Sequence, residues 1–169
     1  GFGGLITGAR LVEACITDVH FIEKNGDFGG TWYWNRYPGA RCDVESMTYS
    51  YSFSDELQNY WTWKERYAQQ TEILDYIGHV VERFDLRRDM RFETRVTGAV
   101  FDDATNRWQI ETESGDNISA KYCVMAIGCL STPNLPDFEG LESFEGDTYH
   151  TGRWPHEEVN FYGKQVGIV

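Results

Sequence analysis

No two cysteines in this chain stand at C-x-x-C spacing; Cys15, Cys42, Cys123 and Cys129 are scattered. That excludes a dithiol redox motif and a cysteine-framed metal site, and lone thiols fit a reducing cytoplasm. Basic blocks are missing too. Lys and Arg number 15 against 27 Asp and Glu, a formal net charge of −12, so a nucleic-acid backbone would meet repulsion. No apolar run approaches the ~18 residues of a membrane span, and no signal peptide is visible, so a membrane partner is not expected. Proline is scarce, with 4 in 169 residues, and all but one lie after Gly128.

What remains has an ordinary globular balance, 41% hydrophobic and 25% charged, in a length that suits one domain with a sizeable core. Aromatics are abundant at 15%, including 6 Trp and 10 Tyr, which serves either a heavy core or a site for a flat ligand. The chain opens on "GFGG" without Met and stops on the apolar run "KQVGIV". A piece of a longer protein, ending just inside a strand, is expected.

"GFGGLITGARLVEACITD" reads as a glycine turn entering a helix, with Leu5, Ala9, Leu11, Val12 and Cys15 on its apolar face. "DVHFIEK" reads as a buried strand, so the order is loop, helix, strand. "TEILDYIGHVVERFDL" is the strongest helical pattern: Ile73, Ile77, Val80, Val81 and Phe84 share a face, and Thr71 is the expected N-cap. "RFETRVTGAVFDD", "RWQIETE" and "NISAKYCVMAIG" read as strands joined by the turns "DATN" and "SGDN". The run "YCVMAIG" is apolar throughout, as a buried parallel strand would be. From Cys129 to Lys164 the periodicity fades and a connector is expected.

Gly1, Gly3 and Gly4 precede the first helix. A dinucleotide loop uses glycines for a tight turn and for close approach to a pyrophosphate, which then sits at the helix N-terminus. Glu23 ends the next strand near the ~20-residue offset expected of an acid that binds ribose hydroxyls. That acid favours an unphosphorylated ribose, as in FAD or NAD.

The segment "GDFGGTWYWNRYPGARCDVES" adds a second glycine pair, the flat faces of Trp32, Tyr33, Trp34 and Tyr37, and the opposite charges of Arg41 and Asp43. Read blandly, it is a loop folded on its own aromatics with an Arg41–Asp43 surface pair. Further on, "FEGDTYHTGRWP" carries Phe144, Gly146, His150, Trp154 and Pro155. Together these stretches resemble the type I Baeyer–Villiger monooxygenases, class B flavin monooxygenases whose fingerprint is F-x-G-x-x-x-H-x-x-x-W-P. The resemblance covers essentially the whole chain and is strongest to the phenylacetone, cyclic-ketone and steroid monooxygenase branch.

The resemblance implies an α/β fold: a Rossmann-like FAD-binding domain over residues 1–130, incomplete at its N-terminus and bearing a β-meander. A linker over 131–163 would hold the fingerprint, and 164–169 would begin a second Rossmann-like domain for NADPH. Gly3 and Gly4 would face the FAD pyrophosphate, Glu23 the adenosine ribose and the Val96 backbone the adenine. Thr31, Trp32, Trp34 and Tyr49 would be further FAD contacts, and Arg41, Cys42 and Asp43 would line the nicotinamide side of the flavin. Asp43 would orient an active-site arginine from a later segment, and His150 would couple cofactor binding to domain movement. In "MAIG", Ile127 replaces the family's Thr. The implied reaction inserts one atom of O2 into a ketone through a C4a-peroxyflavin, giving an ester or lactone. An N- or S-oxygenating flavin monooxygenase and a non-catalytic, truncated FAD module are the alternatives. The chain alone is expected to be inactive, and no pattern indicates an oligomeric state.

Overall fold

The computed structural model describes residues 1–169. Helix α1 (Phe2–Glu13) begins in the glycine turn and buries Leu5, Gly8 and Ala9. Gly8 is obligatory there: a Cβ would lie 2.4 Å from the Phe21 ring of β1 (Phe21–Ile22). The helix ends in a Schellman turn, with Cys15 N–H donating to Val12 O and Ile16 N–H to Leu11 O. Cys15 occupies its left-handed position at φ 57, where glycine is usual, and is exposed instead of on the apolar face.

β1 pairs in parallel with β2 (Met90–Arg91), Phe21 opposite Met90 and Ile22 opposite Arg91. The expected strand "DVHFIEK" is thus only two residues long and half-buried. A parallel strand is buried by neighbours on both sides, and β1 has one.

Two short helices, α2 (Thr31–Trp34) and α3 (Ser46–Tyr49), lie in the aromatic loop, followed by α4 (Asp55–Tyr60). Ser54 caps α4 by accepting the Leu57 N–H. Helix α5 (Gln70–Arg83) is the centre of the core, and its Ile73, Tyr76, Ile77, Val80 and Val81 are almost fully buried. Its N-cap is Gln69, not Thr71. Tertiary hydrogen bonds decide the start: Gln69 bridges Arg41 in antiparallel fashion, and Gln70 N–H donates to Ala40 O at 2.9 Å.

β3 (Val96–Asp102), β4 (Arg107–Thr112) and β5 (Asn117–Ala120) form the expected antiparallel meander, in the order β3-β4-β5. The apolar run 122–128 is not a strand. Tyr122, Val124, Met125 and Ile127 are exposed, and the only backbone bond there is the local one from Ala126 N–H to Val124 O. Extended apolar residues become a buried strand only when neighbouring strands satisfy their backbone, and none lies alongside. Residues 164–169 likewise form no strand, with Val166, Ile168 and Val169 exposed. No helix is long and apolar enough to cross a membrane.

Candidate dinucleotide site

Two glycine turns meet at the start of α1. Gly30 adopts φ 57 and ψ −119 as the residue capping α2, a conformation open essentially to glycine. A Cβ on Gly30 would stand 2.8 Å from the Gly1 Cα, and one on Gly1 3.5 Å from the Gly30 Cα. The two backbones therefore touch, and a side chain is excluded at Gly30.

The α1 N-terminus beside this contact has no side-chain cap and no acid in its first turn. Its first amides have no intrahelical partner and present the positive end of the helix dipole. Gly3 is exposed, and a Cβ added to Gly3 or Gly4 would meet only Ala126, at 3.8 and 3.7 Å. A glycine-floored, uncapped helix start of this kind fits a pyrophosphate.

Glu23 reaches the same place. Its backbone N–H donates to Arg91 O, and its carbonyl accepts from Thr94 N–H at 3.0 Å. These bonds join the end of β1 to the residues just before β3, which begins at Val96. The Glu23 carboxylate accepts from the Asn25 backbone N–H at 3.1 Å and from its side-chain amide at 2.7 Å. The Glu23 carboxylate lies within electrostatic reach of the Gly1 end of the glycine turn.

The aromatic loop packs under α1 and α5. Trp32 is buried, and its indole N–H donates to the Tyr49 hydroxyl at 2.7 Å. Burial pushes the Tyr49 phenol above its ordinary value, and this hydrogen bond opposes the shift. Gln70 holds the loop from the other side, donating to Trp32 O at 2.6 Å. Thr31 and Trp34 are half-buried on either side.

Arg41 and Asp43 do not pair with each other. The Arg41 guanidinium bonds to Glu65 at 2.9 Å. Hydrogen bonds from Gln69 and then Arg41 hold the Glu65 carboxyl below its usual range. Asp43 is exposed and pairs with no Lys or Arg of the chain. Between them Cys42 is buried, its backbone N–H donating to Ala68 O and its thiol to Val44 O.

His150 sits apart from the glycine turns. Its Nδ1 accepts from Gly152 N–H at 3.1 Å, which leaves the proton on Nε2 to donate to Asn134 O at 3.1 Å. One imidazole thereby clamps the turn Thr151–Arg153 to Asn134. The same segment docks on the aromatic loop through Trp154, 6.5 Å from Tyr37, and through His156, 4.9 Å from Tyr33 and 6.0 Å from Trp34 between ring centroids. His156 was not among the residues expected from sequence, though it directly follows the fingerprint. The Gly29–Gly30 doublet was the available signal for the second turn.

The family model for pyridine nucleotide-disulphide oxidoreductases matches residues 1–169. The chain belongs to that family. A Baeyer–Villiger monooxygenase of Pseudooceanicola batsensis is 45% identical over 100% of this chain and 31% of its own length. A phenazine N-monooxygenase of Lysobacter antibioticus is 40% identical, with 100% of this chain and 31% of its own length covered. A solved oxidized steroid monooxygenase bound to NADP superposes with a TM-score of 0.88 at 55% identity, covering 96% of this chain and 31% of that one. The α/β dinucleotide fold is thereby borne out. The chain spans about a third of the length of the relatives it matches.

Proposed function

We propose that this chain supplies the FAD-binding part and the fingerprint linker of an FAD- and NADPH-dependent Baeyer–Villiger monooxygenase, which converts a small-molecule ketone and O2 to an ester or lactone. The observation that carries the reading is the contact of the Gly1 and Gly30 turns at an uncapped helix start, with Glu23 alongside.

Gly3 and Gly4 leave room for a pyrophosphate against the first amides of α1, where the helix dipole favours its charge. Glu23 accepts hydrogen bonds from ribose hydroxyls, in the direction in which it now accepts from Asn25. Thr31, Trp32, Trp34 and Tyr49 form the wall of the site, and the Val96 backbone serves the adenine end. The flavin, when bound, supplies the redox and oxygen-activating chemistry. Arg41 places a positive charge on the nicotinamide side, and the burial of Cys42 holds the segment in position. Asp43, free of partners in this chain, is available to orient an arginine from elsewhere in the full-length protein. His150 acts as a positioning residue: by clamping Gly152 to Asn134 it makes the linker one stiff body, and Pro155 restricts it further.

We assign 1–130 to the FAD domain, 131–163 to the linker and 164–169 to the start of the NADPH domain. The lone thiols and the lack of an apolar span support a cytoplasmic protein. The N-oxygenating reading draws on the phenazine N-monooxygenase, whose identity to this chain is nearly as high. Trp154–Pro155 in the fingerprint favours the ketone oxygenase.

FAD titration of the full-length protein, followed by flavin fluorescence, tests the site. Glu23→Ala removes charge-assisted hydrogen bonds of about 1.5–3 kcal/mol and is expected to weaken FAD binding tenfold or more. Unchanged affinity would remove Glu23 from the site.

A further inference from the structure

Arg41 stands on an anchored strip of backbone. Residues 40–42 run antiparallel to 68–70: Cys42 N–H donates to Ala68 O at 3.0 Å, Gln70 N–H donates to Ala40 O at 2.9 Å, and Arg41 bridges Gln69. The backbone at Arg41 is therefore fixed whatever its side chain does. The nearest carboxylate along the chain is Asp43, two residues on. Arg41 bonds instead to Glu65, 24 residues away in the segment before α5.

The Glu65 carboxylate is held on both oxygens. Its Oε2 accepts from Arg41 Nη1 at 2.9 Å, and its Oε1 accepts from the Gln69 side-chain amide at 2.6 Å. Arg41 Nη1 donates further to Tyr67 O at 3.3 Å. No other side-chain hydrogen bond of Arg41 exists, so Nε and Nη2 donate to nothing in the chain. A guanidinium carries its donors in a rigid planar fork. Two acceptors on Nη1 consequently fix the direction of the free edge.

Stability does not account for this arrangement. The two side chains are 45% and 41% exposed, and an ion pair so open to solvent contributes little. Arg66, beside Glu65, is taken by Glu45, while Asp43 has no cationic partner in the chain. The Glu65 side chain separates a cation from the acid nearest to it in sequence and leaves both available.

We propose that Glu65 is a positioning residue for Arg41, fixing the guanidinium with its Nε–Nη2 edge free for an oxygen acceptor of the nicotinamide nucleotide and keeping it from neutralising Asp43. The role rests on the reading that places Arg41 and Asp43 on the nicotinamide side of the flavin. Without the Glu65 carboxylate, Arg41 keeps its backbone position and turns to Asp43. Two functions then fail together: the arginine leaves the nucleotide, and Asp43 no longer holds an arginine from elsewhere in the full-length protein. The fold is not involved, because Ser46 bonds to the backbone carbonyl of Glu65, which any substitution retains.

The test uses the full-length, FAD-loaded protein, with bleaching of the flavin by NADPH followed anaerobically in stopped flow. Glu65→Ala is expected to slow flavin reduction at saturating NADPH by about tenfold or more. Its Tm should stay within about 4 °C of the wild type. An influence of charge alone predicts the opposite, since removing an acid near an anionic nucleotide tightens NADPH binding and leaves the saturated rate unchanged. Arg41→Ala is expected to be as slow as Glu65→Ala, and the double variant no slower than either, because the two side chains act as a unit. A slow Arg41→Ala beside an unaffected Glu65→Ala, or losses that multiply in the double variant, overturns the role of Glu65. Unchanged flavin reduction in Arg41→Ala removes instead the nicotinamide-side reading on which it rests.

Discussion

Substituting alanine for Gly30 and, separately, for Gly39 isolates the contact on which the site depends. Both glycines have positive φ, 57 and 79. A Cβ on Gly39 meets nothing within 4 Å, so Gly39→Ala carries backbone strain alone, about 1–2 kcal/mol. At Gly30 the backbone conformation costs about 1–3 kcal/mol. The added Cβ also lands 2.8 Å from the Gly1 Cα, so the two turns must separate. For a chain of this size each kcal/mol moves Tm by about 2–4 °C. Gly39→Ala is therefore expected to lower Tm by roughly 2–8 °C. Gly30→Ala should lower it at least twice as far and should also lose FAD. Thermal unfolding and flavin content of the two purified variants decide the matter. Equal losses of Tm, with equal FAD retention, would refute the claim that the glycine turns are in obligatory contact.

Ser46 is buried, and its hydroxyl joins the Glu65 and Arg66 carbonyls to Ala68 N–H. Ser46→Ala strands these groups and is expected to cost about 1–3 kcal/mol in urea unfolding. Cys15→Gly relieves the left-handed position that ends α1 and should stabilise by about 1 kcal/mol in the same assay. Tyr49, Tyr51 and Tyr76 all have raised phenol pKa values, with burial the first cause. The folded state therefore favours their neutral forms: that stability is complete below pH 10, the ordinary value, and is lost as pH rises above it. An ultraviolet tyrosinate titration should show these three ionising late and together with unfolding; ionisation of all tyrosines near pH 10 without unfolding would contradict it.

The order of α1, β1, α5 and the meander, and the α5 face, were legible because they are written in local periodicity, and Ile73, Ile77, Val80 and Val81 all lie where spacing puts them. The meander was legible from turn residues. Boundaries set by tertiary bonds were not. The start of α5 depends on Ala40 and Arg41, some thirty residues upstream, and no pattern in "QQTEIL" reveals this. The apolar run 122–128 carries the composition of a buried strand, but composition cannot supply a neighbour to pair with. At the site, Gly1, Gly30 and Glu23 were individually visible, yet the touching of two glycine turns exists only in three dimensions. Arg41 chose Glu65 over its sequence neighbour Asp43 for the same reason.

The most direct measurement is product analysis with isotopically labelled O2. The full-length protein, loaded with FAD, is supplied with NADPH and a panel of ketones. The account predicts an ester or lactone carrying one labelled oxygen, with NADPH consumption that depends on the ketone. A yellow protein that oxidises NADPH but labels only a nitrogen or sulfur compound, or makes no labelled product, would contradict it.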